Sequence, residues 1–256
     1  MKNIDTEYDY IIVGAGSAGC VLANRLSKNP KNSVLLLEAG REDKSITLKM
    51  PGAVLLNLKS TKHNWAFKGE PEPELAGRQL QHDRGKTLGG SSSINGMVFI
   101  RGNSLDYEGW RQMGCDGWGY ADVLPYFKKM ESYSGGGDDF RGDSGPLRVH
   151  RSVPKDPLSI AFIKAGKEAG YKETDDISGY CQEGFGIFDR TVFKGERWST
   201  TRGYLDPVRD RKNLTIITKA LVCKLILENN KATGVCFKDN KNKIFNNDKL
   251  NVIFSL

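Results

Sequence analysis

The chain has 256 residues, and its 38 lysine and arginine residues against 31 aspartate and glutamate residues give a formal net charge of +7 at pH 7. With 38% hydrophobic and 27% charged residues it has the composition of a globular protein, which excludes wholesale disorder and collagen-like repeats. The basic residues are spread along the chain rather than clustered, so we expect no nucleic-acid partner. No apolar run approaches the ~20 residues of a membrane span.

The cysteines and the first residues indicate a reducing compartment. The five cysteines are an odd number without a Cys-x-x-Cys pair, which argues against a disulfide framework or a zinc site. The first residues include acidic side chains and lack the apolar stretch of a signal peptide. We therefore expect a cytoplasmic protein without a structural metal.

The chain opens with the pattern of a β–α–β unit. Residues 8–13 are β-branched and aromatic, which predicts a buried strand. Apolar residues at helical spacing predict a helix over 17–26, and a second apolar strand is predicted over 33–37. Wholly apolar strands of this kind are typical of a parallel sheet that is buried on both faces.

Further elements follow along the chain. Weak periodicity and several prolines predict an irregular lid over 41–84. The other predicted elements are helical segments within 105–130 with a break near 114–119, a loop at 134–139, a helix over 158–169, strands over 214–217, 222–228 and 232–238 with a hairpin turn at 228–231, and a strand over 252–254.

The first motif is a glycine-rich turn. Residues 14–19 read Gly-x-Gly-x-x-Gly between the first predicted strand and the helix, the context that dinucleotide binding requires. Gly14 permits a tight turn, Gly16 lets the backbone approach a pyrophosphate, and Gly19 lets the helix pack closely. Glu38 ends the second strand, where its carboxylate can accept hydrogen bonds from ribose hydroxyls and disfavours a 2′-phosphate. On this motif alone FAD and NAD both stay open.

The second motif is a glycine- and serine-rich loop within residues 84–102. Gly89, Gly90 and the three serines that follow can bring backbone N–H groups against an anion. The apolar residues from Ile94 to Ile100 indicate that this loop is embedded in core sequence and is not a surface turn.

With these two motifs the sequence resembles the N-terminal part of the glucose–methanol–choline (GMC) family of FAD-dependent oxidoreductases. The resemblance continues in residues 184–186, 197–205 and 213–215, and it covers nearly the whole chain. Residues 96–103 and 105–110 resemble the choline dehydrogenase and alcohol dehydrogenase branch. The residues that match the family's first signature are Gly85, Lys86, Leu88, Gly89, Gly90, Ser91, Ser92, Ile94, Asn95, Phe99, Gly102 and Glu108.

The resemblance implies a set of residues for FAD. The glycine motif and Glu38 would hold the adenosine and pyrophosphate, residues 84–90 would cover the pyrophosphate, residues 95–98 would line the flavin ring, and Val222 would contact the adenine through its backbone. Some relatives tether FAD through a histidine where this chain has Ile94, so we expect noncovalent FAD. The full predicted set is Gly14, Gly16, Ser17, Ala18, Gly19, Glu38, Ala39, Arg84, Gly85, Leu88, Gly89, Gly90, Ser91, Asn95, Gly96, Met97, Val98 and Val222.

The resemblance also implies an α/β fold and its division. We expect a Rossmann-like FAD-binding domain at residues 1–150, part of an α+β antiparallel-sheet substrate domain at 151–213, and a return to the FAD-binding domain over 214–256. The tryptophans, Trp65 among them, are expected to be core or interface residues rather than stacking platforms.

The implied activity is oxidation of a primary, choline-like alcohol to an aldehyde by hydride transfer to flavin. The family's catalytic histidine lies in a C-terminal half that we expect this chain to lack, so no catalytic residue is predicted, and His63, His82 and His150 are expected to be structural or at the surface. A catalytically inactive flavin-binding fragment or half of a split enzyme is the alternative. An NAD-dependent dehydrogenase leaves residues 85–108 unexplained. The electron acceptor, and peripheral membrane association through a respiratory acceptor, stay open.

Overall fold

The computed structural model of the protein describes residues 7–238, 244–247 and 252–254. The chain forms two compact units, one from the residues up to Gly96 together with those from Glu196 onward, and one from Met97 to Gly195. The units divide the chain at other positions than the functional boundaries expected near 150 and 213. The functional roles assigned to residues 1–150, 151–213 and 214–256 stay predictions.

Short strands and helices alternate along both units. The strands are β1 (Tyr10–Val13), β2 (Val34–Glu38), β3 (Phe67–Lys68), β4 (Gln81–His82), β5 (Val98–Phe99), β6 (Glu131–Tyr133), β7 (Leu147–Arg151), β8 (Asp189–Arg190), β9 (Val192–Phe193), β10 (Glu196–Arg197), β11 (Leu214–Thr218), β12 (Leu221–Glu228), β13 (Lys231–Lys238), β14 (Ile244–Asn247) and β15 (Val252–Phe254). The α-helices are α1 (Ser17–Leu26), α2 (Ile46–Lys49), α3 (Val54–Leu58), α4 (Ser104–Gln112), α5 (Tyr120–Met130) and α6 (Pro157–Glu168). Shorter helical turns cover Pro51–Ala53, Pro73–Leu75, Gly90–Ser93, Thr201–Leu205 and Asp206–Val208.

The first unit is built on a parallel sheet with the strand order β11-β2-β1-β15. All five residues of β2 are buried, as the apolar run predicts for a central parallel strand. The predicted β–α–β unit and the α/β fold class are confirmed. Because β1 has β2 on one side and β15 on the other, its carboxyl end lies where the neighbouring connections diverge, which is where open α/β sheets bind ligands.

Helix α1 connects β1 to β2 and has the bounds that the apolar spacing predicts. It begins directly after Gly16, and its buried residues Gly19, Cys20 and Ala23 recur at helical spacing. Small side chains on this face allow the helix to lie close to neighbouring backbone. The start of α1 is thereby fixed against the carboxyl end of β1.

A second, antiparallel sheet of the first unit has the order β12-β13-β14. The predicted turn between β12 and β13 is confirmed, and Asn229 and Asn230 both have positive φ, 50° and 61°, as a two-residue type I′ hairpin requires. Val235 and Phe237 of β13 join Ile11 of β1 in one hydrophobic cluster. This packing holds the start of β12 near the parallel sheet.

The second unit contains a sheet with the order β5-β8-β7-β6, in which β6 runs parallel to β7 and the other pairs are antiparallel. The helices predicted within 105–130 and over 158–169 are confirmed as α4, α5 and α6. Of the strands of this sheet, β5, β6 and most of β7 precede residue 151, and β8 follows it. The strands β5, β6 and β8 have only two or three residues, which is too few to show an alternating pattern in the sequence.

Buried charges hold this sheet together. Arg141 and Asp189 are fully buried, and Arg141 Nη2 donates to Asp189 Oδ2 at 2.9 Å. Arg151 Nε donates to the other oxygen of Asp189 at 2.7 Å. Glu131 is also fully buried and accepts hydrogen bonds from Arg101 and from the Gly142 amide. Each of these buried charges therefore has an opposite charge within 4 Å, which offsets part of the cost of burying it.

Candidate functional site

A cavity of about 900 Å³ opens at the carboxyl ends of β1 and β2 in the first unit. Its wall is mainly apolar and combines the glycine motif, the end of β2, the 84–91 loop, the β3–β4 hairpin and the start of β12. The lining residues are Val13, Gly14, Gly16, Ser17, Ala18, Leu37, Glu38, Ala39, Trp65, Phe67, His82, Arg84, Gly85, Gly90, Ser91, Ala220, Leu221 and Val222.

The N-terminus of α1 faces this cavity with unpaired backbone donors. Gly16 occupies the N-cap position and has no side chain to cap the helix, and the first turn carries no acidic residue. The first backbone bond of the helix runs from the Cys20 amide to the Gly16 carbonyl oxygen at 3.0 Å. The preceding N–H groups have no partner within the helix, so together with the helix dipole they form a binding point for a phosphate.

Glycines from two distant segments form the wall beside this helix. Gly14 has φ +91° and its amide donates to the Leu37 carbonyl at 2.7 Å, which confirms the tight turn. The Gly89 amide donates to the Ala15 carbonyl, also at 2.7 Å. A Cβ atom on Gly90 would lie 2.7 Å from the Cα of Gly16, so the two motifs touch backbone to backbone. The close approach requires glycine at these positions.

Glu38 lies in the cavity wall and also holds the motif in place. Its side chain is buried, Oε2 accepts a hydrogen bond from the Ala15 amide at 2.8 Å, and Oε1 accepts one from the Gly40 amide at 2.7 Å. Burial raises the pKa of this carboxyl, while the two amides and Lys86 act in the opposite direction. Each oxygen keeps a further lone pair, which leaves acceptor capacity for a ribose hydroxyl.

The loop over 84–91 is shaped by its own contacts. The Gly85 amide donates to Ser91 Oγ at 3.1 Å, and a Cβ on Gly85 would lie 2.1 Å from the Gly90 carbonyl oxygen. The side chain of Leu88 is fully buried and fixes the loop to the core of the unit. Arg84 lines the cavity, and its guanidinium donates to the Asp83 carbonyl at 2.7 Å. The loop therefore presents backbone and one arginine to the cavity.

Some predicted site residues lie behind the wall or elsewhere. Gly19, Leu88 and Gly89 are buried supports of the lining residues. Asn95, Gly96, Met97 and Val98 do not line the cavity. Asn95 Oδ1 accepts a hydrogen bond from Arg197 Nη1 at 2.9 Å, and the Met97 carbonyl accepts one from the Thr191 amide, also at 2.9 Å. The flavin-contacting role of residues 95–98 stays a prediction.

The sequence did not predict the aromatic part of the wall. The rings of Trp65 and Phe67 are stacked, with centroids 5.5 Å apart and planes 9° from parallel. Lys86 Nζ lies 4.2 Å from the centre of the Trp65 ring, and His82 pairs with Phe67 in the β3–β4 hairpin. Trp65 and Phe67 are two residues apart, and this spacing is the one sequence signal that places both rings on the same face of an extended segment. Their place on the cavity depends on the folding of the 41–84 segment.

Two further properties concern the described residues only. No helix among them is long and apolar enough to cross a membrane. The same residues contain no group of three or more histidine, cysteine, aspartate or glutamate side chains that could hold a metal ion.

Comparison with known proteins gives one family over nearly the whole chain. A family model described as GMC oxidoreductase matches residues 8–255. An oxygen-dependent choline dehydrogenase from Sinorhizobium fredii is 49% identical over 227 residues, which is 89% of this chain and 41% of that protein. One from Staphylococcus aureus is 46% identical over 260 residues, covering 100% of this chain and 46% of that protein. The chain thus spans less than half the length of these curated relatives.

Solved structures agree with this result. Pyridoxine 4-oxidase from Mesorbium loti matches with a TM-score of 0.89 and 32% identity, over 97% of this chain and 49% of that chain. An FAD-dependent oxidoreductase from Chaetomium thermophilum matches with a TM-score of 0.87 and 28% identity, over 96% of this chain and 45% of that chain. The fold of these proteins is therefore shared along almost all of this chain.

Proposed function

This chain belongs to the GMC oxidoreductase family, and on that basis we propose that it binds FAD and supplies the cofactor-binding part of an enzyme that oxidises a primary, choline-like alcohol to an aldehyde. The observation that carries the proposal is the unpaired N-terminus of α1, which lies against Gly90 at the base of the 900 Å³ cavity. The relatives named choline dehydrogenases support the substrate class.

The residues of the cavity fit FAD. The N–H groups at the start of α1 suit a pyrophosphate. Glu38 ends β2 beside the glycine motif, where its carboxylate suits a ribose. The apolar wall that includes Val222 and Leu221 suits an adenine ring. A Cβ on Gly90 would occupy space that the close contact of the two motifs needs. We assign these residues to the adenosine diphosphate part of FAD.

We propose that FAD is held noncovalently. Ile94 stands where some relatives carry the histidine that tethers the cofactor, and its aliphatic side chain is buried and offers no nucleophile. Affinity then depends on the backbone donors and the cavity wall. Removal of the cofactor by denaturation is expected to yield unmodified FAD.

Alcohol oxidation needs two kinds of group. When bound, FAD supplies the redox chemistry by accepting a hydride from the substrate carbon. A base must also take the hydroxyl proton, and such a base has to be positioned within hydrogen-bond reach. In the part of the chain that the structure describes, the side chains of His63, His82 and His150 form no hydrogen bond with another residue, and we assign none of them this role. The residues of this chain are assigned to binding and orienting the cofactor.

The second candidate is a flavin-binding chain without activity of its own, or half of a split enzyme. The isolated histidine side chains favour it, because a catalytic histidine is normally oriented by a neighbouring group. The same cofactor cavity serves both candidates. Both candidates predict that this chain binds flavin. Only the first predicts that the enzyme to which the chain belongs turns over an alcohol with this chain's own residues.

One experiment tests both. The purified chain is mixed with FAD and desalted, its absorbance spectrum is recorded, and choline and benzyl alcohol are then supplied with an artificial electron acceptor. Stoichiometric retained flavin supports the proposal, and loss of all flavin on desalting contradicts it. With flavin retained, acceptor reduction supports an enzyme, whereas its absence supports the second candidate.

A further inference from the structure

The β3–β4 hairpin forms a part of the cavity wall to which the proposed function assigns no part of the cofactor. Phe67 and His82 lie opposite each other on β3 and β4, and both line the cavity. Residues that lie opposite each other in antiparallel strands project from the same face of the sheet. The face of the hairpin that carries Phe67 and His82 is therefore the one turned toward the cavity.

The ring of Phe67 is an open aromatic surface in this wall. One of its faces is stacked on Trp65, with the ring planes 9° from parallel. The ring of Trp65 is also in contact with Lys86, whose Nζ lies 4.2 Å from its centroid. Phe67 nevertheless remains 51% exposed. Since Trp65 covers one face of the Phe67 ring, the exposed area lies at its other face and its edges.

A buried amide fixes the segment that carries the two rings. Asn64 is 2% exposed, and its Nδ2 donates to the Leu58 carbonyl at 2.7 Å and to Asp83 Oδ1 at 2.6 Å. Its Oδ1 accepts hydrogen bonds from the Ala66 and Arg84 amides, both at 3.0 Å. Ala66 separates the two aromatic residues and has φ +48°, which is uncommon for a residue other than glycine. Backbone strain that is held in this way is concentrated at binding and catalytic sites.

The start of β12 lies beside the proposed ribose position. The proposed function places the pyrophosphate at the start of α1 and the adenosine ribose at Glu38. The Ala220 amide donates to the Glu38 carbonyl oxygen at 2.9 Å, and Ala220, Leu221 and Val222 all line the cavity. A base attached to this ribose therefore has the start of β12 as one neighbour.

The hairpin leads away from the 84–91 loop along the same cavity. The Trp65 amide donates to the Arg84 carbonyl oxygen at 2.9 Å, so Trp65 lies beside this loop. Phe67 follows Trp65 by two residues, and His82 precedes Arg84 by two residues. Since the loop is assigned to the pyrophosphate, Phe67 and His82 line the part of the cavity that is left for the adenosine.

We propose that the adenine of FAD stacks on the exposed face of Phe67, and that Trp65 supports this ring from its other side. The inference rests on the proposed function, because the pyrophosphate and ribose positions are taken from it. Every nucleobase has a π face that can stack on an aromatic side chain, and a purine offers a larger one than a pyrimidine. The hairpin therefore favours an adenine nucleotide over a pyrimidine nucleotide.

The test is isothermal titration of the purified chain and its variants with ADP and with UDP, which share the ribose and the diphosphate and differ in the base. The unchanged chain is expected to bind ADP at least fivefold more tightly than UDP. Phe67→Leu keeps an apolar side chain but loses the ring, and it is expected to bind ADP at least fivefold more weakly. Phe67→Tyr keeps the ring and is expected to bind ADP within threefold of the unchanged chain.

Phe162→Leu is the matched control, because Phe162 is also an exposed phenylalanine with an aromatic neighbour, Phe185, and it does not line the cavity. This variant is expected to bind both nucleotides within twofold of the unchanged chain. Damage to the fold in Phe67→Leu would weaken ADP and UDP by the same factor. Loss of stacking instead lowers the ratio of ADP affinity to UDP affinity, by at least twofold.

The outcomes separate this inference from the proposed function. Equal ADP affinity in Phe67→Leu and Phe162→Leu overturns the inference and leaves the proposed cofactor site standing. An equal fall in ADP and UDP affinity in Phe67→Leu overturns it in the same way. Absence of ADP binding by the unchanged chain contradicts the proposed cofactor site, and the inference fails with it.

Discussion

Gly16 and Gly90 meet with their backbones in direct contact, since a Cβ atom on Gly90 would lie only 2.7 Å from the Cα of Gly16. Gly16 caps the helix that starts the dinucleotide motif, and Gly90 belongs to the glycine- and serine-rich loop. The two motifs that identify the family in the sequence are therefore in direct contact in the structure. Both glycines line the 900 Å³ cavity, so this contact forms part of its wall.

Gly90→Ala tests that contact. The residue has φ +52°, which costs an alanine about 1–2 kcal/mol, and the added methyl group must also displace the Gly16 backbone. We expect the variant to bind FAD at least tenfold more weakly, as measured by quenching of flavin fluorescence. Gly52→Ala is the control, because its Cβ meets nothing within 4 Å. Equal FAD affinity in the two variants would show that the contact is not needed.

Glu38→Gln tests the structural role of the carboxylate. The two oxygens of Glu38 accept hydrogen bonds from the Ala15 and Gly40 amides, whereas a carboxamide offers one oxygen and turns an N–H group toward the other amide. We expect the free energy of unfolding in urea to fall by about 1–3 kcal/mol. Glu70→Gln, at an exposed side chain, is expected to change it by less than about 0.5 kcal/mol. Unchanged stability of Glu38→Gln would mean that the two bonds contribute nothing.

Asp189→Asn tests the buried charge network of the second unit. Asp189 accepts hydrogen bonds from Arg141 and Arg151, and the asparagine leaves the fully buried Arg141 with less negative charge around it. We expect a loss of about 3–5 kcal/mol in the free energy of unfolding. For comparison, Glu168→Gln removes the exposed Lys164–Glu168 pair at 3.6 Å and should cost less than about 1 kcal/mol. Similar values for both variants would contradict the network's role.

The cysteines report on the packing of α1. Burial raises the pKa of the Cys20 thiol to about 12, so almost none of it is thiolate at pH 8, whereas Cys115, Cys181 and Cys223 are exposed. Iodoacetamide at pH 8 is expected to modify the three exposed cysteines and to spare Cys20 until urea unfolds the chain. Mass spectrometry of the digested protein measures this. Modification of Cys20 in the folded chain at the rate of Cys115 would show that α1 is not packed as described.

Local patterns predicted the parts of the molecule that depend on local sequence. Helix α1 follows from apolar residues at helical spacing, and strands β1 and β2 follow from runs of β-branched, aromatic and apolar residues. The tight turn predicted at Gly14 is present, with φ +91°. The position of Trp65 on the cavity wall could not be predicted, because it depends on contacts between segments far apart in the chain. The same holds for the second hydrogen-bonding role of Glu38 and for the burial of Arg197. Contacts of that kind leave no periodic signal in a single sequence.

The most direct test of the central claim is hydrogen–deuterium exchange of the purified chain with and without FAD. The amides at the start of α1 and in the 84–91 loop lie at the proposed pyrophosphate site, so FAD should slow the exchange of peptides that cover residues 14–20 and 84–92. Peptides from the second unit that cover α6 should exchange at unchanged rates. FAD binding that leaves both glycine segments unprotected would contradict the assignment of this cavity to the cofactor.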